Sequence, residues 1–247
     1  MTQGIEERPF DKKVFAYGGL SVASPVAGAT VKRGFDLVLS ASLLIILMPL
    51  IAIIGAAIKV ESRGPVFYRA TRVGWHGRTL RVLKFRKMYD DADGLPLTGR
   101  SDPRFTRLGY LLARTKLDEI PQLWNVVRGQ MSIVGPRPED PVFVALHESD
   151  YRDILRVRPG ITGFGQLAFA NETEILDPEN TVGHYVGAIL PQKIGLDQLY
   201  ARRWSIRGDV RILIWTILPV ILRADVAVNR QTGSLTLRRR KAEGRSD

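Results

Sequence analysis

The sequence contains no cysteine and only three histidines. Disulfides, a thiolate nucleophile and a sulfur-built zinc site are therefore excluded. Three scattered imidazoles leave little for a transition-metal centre, so a metal here is expected to be a hard cation held by oxygen. A glycine-rich dinucleotide fingerprint, a Walker loop, a His-Glu-x-x-His motif and an internal repeat are also missing. Residues 1–30 lack a basic start joined to a continuous apolar stretch and a small-residue cleavage site. No signal peptide is read there, and most of the chain is expected to stay cytoplasmic.

Acidic residues are in short supply, 25 Asp and Glu against 36 Lys and Arg, for a formal charge of +11. Such a molecule is drawn to polyanions, whether nucleic acid, anionic lipid or phosphorylated substrate, and charge alone does not choose among them. The sharpest shortage is local: no charged residue occurs from Leu37 to Ile58. A helix over that stretch would be about 33 Å long, enough to cross a bilayer core. Pro49 sits near its middle, with Lys32 and Arg33 before it and Lys59 and Arg63 after it. Proline kinks a helix into two arms too short to span, and basic flanks at both ends suit a segment returning to the side it left. A re-entrant hairpin is thus favoured narrowly over a spanning helix, with a buried core helix third. Asp36 is expected to cap the helix start or to pair with Lys32 or Arg33.

With 247 residues, one core plus an appendage is the working size. The predicted fold class is α+β, mainly helical. A flexible lead-in (1–30) precedes a membrane helix-break-helix (31–60). A cytoplasmic, membrane-associated domain with short strands and interfacial amphipathic helices follows (61–223), and then a basic, disordered tail (224–247). Between Glu61 and Asp90 lie eight Lys or Arg residues and no acidic one. The runs Pro65 to Tyr68 and Thr79 to Phe85 alternate as half-buried strands do. This segment reads as a surface on anionic headgroups that lends one or two cations to a phosphate site.

Residues 105 to 128 show helical spacing, and Pro121 suits the first turn of a second helix with Asp118 and Glu119 just ahead. Carboxylates there are kept ionised by free amides and the helix dipole, and an ionised Asp is a competent nucleophile. Simple capping is the bland alternative. Gly135-Pro136-Arg137-Pro138-Glu139 fixes one guanidinium between two prolines, which suits bidentate phosphate binding; an idle rigid turn is the alternative. Arg158 to Gly163 is a second stiffened loop, able to approach a ligand with backbone amides. Residues 172 to 180 read as an acidic surface loop. Helical spacing resumes at 194 to 204, with Asp197 on the polar face. The uncharged run Ile212 to Leu222 is too short to cross and is expected in the interface or against the hairpin.

Together these pieces resemble the bacterial sugar transferase family, the monotopic polyprenyl-phosphate phosphoglycosyl transferases, over roughly residues 31 to 220. The likeness is carried by Lys32-Arg33 with Asp36, Pro49, Gly64 to Tyr68, Arg72-Val73-Gly74, Lys84-Phe85-Arg86 and Asp102 to Thr106. It continues in Leu117 to Val126, Met131 to Pro138, Arg158 to Gly163 and Asp197 to Tyr200.

The resemblance implies a re-entrant membrane element and an active site on the cytoplasmic face of the bacterial inner membrane. It implies a Mg²⁺-dependent ping-pong reaction in which Asp118 attacks the sugar-bearing phosphate of a UDP-sugar, UMP leaves, and polyprenyl phosphate takes the phosphosugar. Glu119 would assist metal binding or proton transfer, and Asp197 would join Asp118 and Glu119 at the metal. Lys84, Arg86, Arg114, Pro136, Arg137 and Pro138 would form the phosphate-binding set. The implied partners are the UDP-sugar, polyprenyl phosphate and membrane lipid, with no nucleic acid; a homodimer is left open.

Three positions depart from the family pattern: Ala113 where arginine is usual, Gln130 where aspartate is frequent, and Lys116 where serine is. Arg114 is the candidate substitute for the missing arginine. The competing class is a basic, membrane-anchored polyanion- or lipid-binding protein without turnover. The Asp118–Glu119 pair opposes it, because carboxylates beside a phosphate site do nothing for a pure polyanion binder.

Overall fold

The computed structural model describes residues 26–90, 97, 102–222 and 224–239. The first element, α1 (Val26–Glu61), is 36 residues long and carries Pro49 inside it, so helix runs through the proline where a break between two helices was expected. It starts within the expected lead-in; residues 1–25 of that lead-in lie outside the described residues. From Gly28 to Glu61 the helix is long and apolar enough to cross a membrane, and only 11% of its most apolar window is buried by the rest of the protein. Ile45, Ile46, Met48 and Ile53 are each more than half exposed. Apolar surface of that extent needs a cover other than water.

Both ends of α1 grip the same body. Lys32 pairs with Asp209 at 2.6 Å and donates to the Val134 carbonyl. Arg33 donates to the Val126 and Val127 carbonyls at 2.6 and 2.8 Å, at the C-terminus of a helix, where the Val126 carbonyl also accepts from the Gly129 amide. Asp36 is buried and accepts from the Ile133 amide at 3.1 Å. This corrects the expected role of Asp36: it lies well inside α1 and binds the body's backbone, capping nothing. At the other end, Ile54 and Ile58 are buried with Phe85 and Leu112.

β1 (Phe67–Val73) and β2 (Thr79–Phe85) form an antiparallel hairpin; β2 matches the expected run, whereas β1 shares only Phe67 and Tyr68 with the run read at 65–68 and continues to Val73. Next come α2 (Arg107–Thr115), a 3₁₀ turn (Leu117–Glu119) and α3 (Gln122–Val127). The pair β3 (Ser132–Val134) and β4 (Gly160–Thr162) is parallel, with α4 (Pro141–Leu146) and α5 (Glu148–Ile154) in the crossover. A Cβ on Gly160 would stand 2.1 Å from the Gly135 amide nitrogen, so this pairing demands glycine. Beyond it lie α6 (Phe164–Ala168), α7 (Glu172–Ile175), α8 (Thr181–His184), a π-helical turn (Tyr185–Ile189), α9 (Leu190–Arg203) and α10 (Ile206–Leu222). The stretch expected as an acidic loop thus carries α7, and Leu176 behind it is buried.

The run 212–222 forms most of α10. That helix packs on β3, β4 and α6 through buried Ile212, and Thr216 meets Thr162 at 2.8 Å. Val210, Ile214 and Ile217 are left exposed on its other side. The expected disordered tail is corrected over most of its length. β5 (Ala224–Val228) and β6 (Leu235–Arg239) pair antiparallel, and Leu235 joins the core formed by Val126, Met131, Val134 and Tyr200. Alternation of Val226, Val228 and Leu235 onto that core is the physical reason the segment orders. Residues 240–247 lie outside the described residues.

Arg86 also departs from its expected role in binding phosphate. It is 6% exposed, and its guanidinium donates to the Ser62 and Arg63 carbonyls and to Ser62 Oγ, closing the C-terminal end of α1. Gly64 beside it has φ +112, and a Cβ there would clash with that guanidinium. Arg86→Met is expected to destabilise the folded protein by about 2–4 kcal/mol, because charge-assisted hydrogen bonds are lost and carbonyls are stranded. A thermal melt in detergent checks this; an unchanged Tm would show that the contact contributes nothing.

Candidate active site

Asp118 and Glu119 sit in the 3₁₀ turn between α2 and α3. Lys116, in the left-handed region at φ 59, ends α2 and turns the chain so that Asp118 faces inward. Neither carboxylate makes a capping bond to α3, whose N-cap is Pro121. Lysine and arginine side chains hold them instead. Asp118 is 2% exposed, and its Oδ2 lies 3.5 Å from Lys87 Nζ. Glu119 Oε1 accepts from Lys84 Nζ at 2.9 Å and from Arg137 at 3.0 Å.

Burial pushes the Glu119 carboxyl upward, but Lys84 and Arg137 outweigh it and hold the group well below the usual carboxylate range. Lys84 is lowered by burial with Arg137 nearby, against the pull of Glu119. Arg137 is raised, chiefly by Glu119. The result is two adjacent carboxylates among three cations, where a phosphate can be met by Lys84, Lys87 and Arg137 while a carboxylate oxygen stands close to its phosphorus.

Asn125 fixes the underside of this site. Its Oδ1 accepts from the Leu83 amide, and its Nδ2 donates to the Arg81 carbonyl and to Gln130 Oε1, so β2 and α3 are locked together. Pro136 is buried, and its carbonyl accepts from Gly160, continuing the β3–β4 pairing. Pro138 follows Arg137 and stiffens the exit from the turn.

Other expected residues fall elsewhere. Arg114 is exposed on α2 and belongs to none of the described ion pairs around Glu119. Asp197, on α9, is 4% exposed and its Oδ1 has no partner; burial pushes its pKa up to about 8, against the pull of Lys193 and of nearby Arg137. Among the described residues no three acidic or histidine side chains converge as a metal-binding group, so Asp197 does not share a site with Asp118 and Glu119. Lys87, the cation nearest Asp118, escaped the sequence reading, although its place three residues after Lys84 was a usable signal.

Residues 27–223 match the family described as bacterial sugar transferase. The chain is 42% identical over 195 residues to the undecaprenyl-phosphate glucose phosphotransferase of Komagataeibacter xylinus, covering 75% of this chain and 35% of that protein. It is 34% identical over 206 residues to the UDP-glucose:undecaprenyl-phosphate glucose-1-phosphate transferase of Escherichia coli K12, covering 78% and 41%. Against the exopolysaccharide production protein ExoY of Sinorhizobium fredii it is 33% identical over 215 residues, covering 80% and 88%. The chain thus spans about two fifths of the first two relatives and most of the third.

Proposed function

The chain belongs to the bacterial sugar transferase family, and from that premise we propose that it moves a sugar 1-phosphate from a UDP-sugar to undecaprenyl phosphate. This would be a first membrane step of exopolysaccharide or glycoconjugate assembly. UDP-glucose is the first donor to test, because two of the relatives described above are named for glucose. The observation that carries the reading is the convergence of Lys84, Lys87 and Arg137 on the Asp118–Glu119 turn.

In the proposed reaction, an Asp118 carboxylate oxygen forms a bond to the phosphorus bearing the sugar. The bond from that phosphorus to the bridging oxygen breaks, and UMP departs with the electron pair. A phosphate oxygen of undecaprenyl phosphate then attacks the same phosphorus, and the bond to Asp118 breaks to regenerate the carboxylate. Dividing the displacement in two lowers each barrier. Arg137 and Lys84 bind the diphosphate and offset charge on its oxygens, while Lys87 holds Asp118 toward the phosphorus.

A Mg²⁺ ion fits this donor set, because Mg²⁺ takes one or two carboxylates and fills its shell with water and substrate phosphate. Asp118 and Glu119 would hold it, and when bound it would supply further neutralisation of the phosphoryl oxygens. Release of UMP from a panel of UDP-sugars tests the reading. Turnover is expected with at least one donor, to stop in EDTA and to return with Mg²⁺. Donor binding without UMP release would leave a binding protein, and full activity in EDTA would remove the metal.

The membrane element is proposed to enter the inner membrane from the cytoplasmic side and return. A helix crossing the roughly 30 Å core would put its ends on opposite faces, yet the Lys32–Asp36 and Ile54–Ile58 ends both pack on one body. The apolar stripe of α10 would rest in the interface. Tags on residues 1 and 247 are expected on the same side of sealed vesicles by protease accessibility; opposite sides would establish a crossing helix.

A further inference from the structure

Behind Arg137 lies a second polar cluster that the proposed reaction leaves unused. Lys193, 4% exposed on α9, donates to Glu172 Oε2 at 3.0 Å and to the Tyr185 hydroxyl at 2.9 Å. The Tyr185 hydroxyl donates in turn to Glu139 Oε2 at 2.6 Å. Every link is short, and Tyr185 is 1% exposed. Burying one lysine with two glutamates is costly unless their hydrogen bonds are satisfied, as they are here. Such a group contributes definition of geometry more dependably than it contributes stability.

That geometry concerns Arg137. Glu139 follows it by two residues, across Pro138, whose ring fixes φ and leaves the intervening backbone little freedom. On its other side, Asp197 is buried close enough to Arg137 to feel its charge. Lys193 and Asp197 are four residues apart on α9 and therefore share one face of it. One helix face thus lies behind the arginine turn and reaches Glu139 through Lys193, at 3.6 Å directly and by way of the Tyr185 hydroxyl. The π-helical turn Tyr185–Ile189, directly ahead of α9, places Tyr185 where its hydroxyl meets both Lys193 and Glu139. Turns of that kind are rare and concentrate at functional sites. Glu172 brings α7 to the same ammonium group, so the 172–189 segment is wired to the turn that presents the guanidinium to Glu119.

We propose that Tyr185, Lys193 and Glu172 are positioning residues that set where Arg137 presents its guanidinium to the donor diphosphate, coupling the 172–189 segment to the phosphate site. The catalytic half of this inference rests on the transferase reading above; the positioning half does not.

A double-mutant cycle decides the first half. Tyr185→Phe deletes one oxygen and keeps the packed ring. It is expected to lower kcat/KM for UMP release about 3- to 10-fold in the parent and less than about 2-fold on an Arg137→Ala background, since coupled residues are non-additive. A merely structural tyrosine would cost the same factor in both backgrounds, and that result would overturn the proposal.

Amide hydrogen exchange decides the second half with no substrate. Tyr185→Phe is expected to speed exchange at Asp140 and Val73, whose amides donate to the Glu139 carboxylate and carbonyl, with the Leu83 amide that donates to Asn125 unchanged. Unaltered protection at 73 and 140 would overturn the proposal. Lys193→Gln should act in the same direction; should it fail to fold, Tyr185→Phe still carries both measurements. If the parent released no UMP, the transferase reading would fall, and exchange at 73 and 140 would still test whether the hydroxyl holds the turn.

Discussion

Asp118→Asn is expected to reduce sugar phosphate transfer by at least about 10³-fold while leaving the protein folded and membrane-bound. Asparagine matches aspartate in size, so the enclosed site beneath Lys87 keeps its packing. What it lacks is an anionic oxygen able to bond to phosphorus. The loss should appear in kcat with little change in donor KM, because the cations proposed to bind the phosphates remain. Turnover near the parent rate would move the nucleophile elsewhere, and Glu119→Gln would be the next variant to measure.

The second large effect is expected at Arg137. Arg137→Ala removes the guanidinium from the proposed phosphate site and leaves Glu119 with Lys84 alone, 2.9 Å away. A fall in kcat/KM of about 10² to 10³ is expected, the range for loss of one preorganised donor at a developing oxyanion. Arg137→Lys should recover only part of this, since an ammonium restores charge without the planar two-pronged geometry. Recovery to the parent rate by lysine would show that charge alone suffices. A melting temperature within a few degrees of the parent for both variants separates this loss from unfolding.

How far these features could be read from the sequence depends on whether their cause is local. The β1–β2 hairpin follows from alternation in 79–85, and the Asp118–Glu119 junction from helical spacing on both sides of it, with Pro121 between. The 22-residue uncharged run announced α1. Arg86 was misassigned because it neighbours Lys84 in a basic run. β2 ends at Phe85, so strand phase no longer governs the next residue, which turns back to Ser62 and Arg63. The hairpin at 224–239 is masked by the basic run that begins inside its second strand at Arg238, although the spacing of Val226, Val228 and Leu235 is visible. Nothing local marks Tyr185 as a partner of Glu139, 46 positions away, or Lys193 as a partner of Glu172. Those bonds exist only once α9 is packed behind the arginine turn.

The extent of the membrane element is likewise a tertiary matter. Composition alone permits a crossing helix, a returning helix or a core helix. The returning arrangement is proposed because Arg33 and Ile58, at opposite ends of α1, both rest on the one body that carries Asp118. The proposed arrangement places the buried carboxylate at the boundary where a soluble nucleotide sugar and a lipid phosphate can both reach it.

Whether Asp118 becomes esterified is read by mass spectrometry of the intact protein, quenched after incubation with a turned-over UDP-sugar and Mg²⁺ but no lipid acceptor. An added mass of one phosphosugar is expected, mapping to the peptide that contains Asp118, absent from Asp118→Asn and lost when undecaprenyl phosphate is supplied. Active enzyme that never carries this adduct, or carries it on another residue, would show that Asp118 is not the nucleophile.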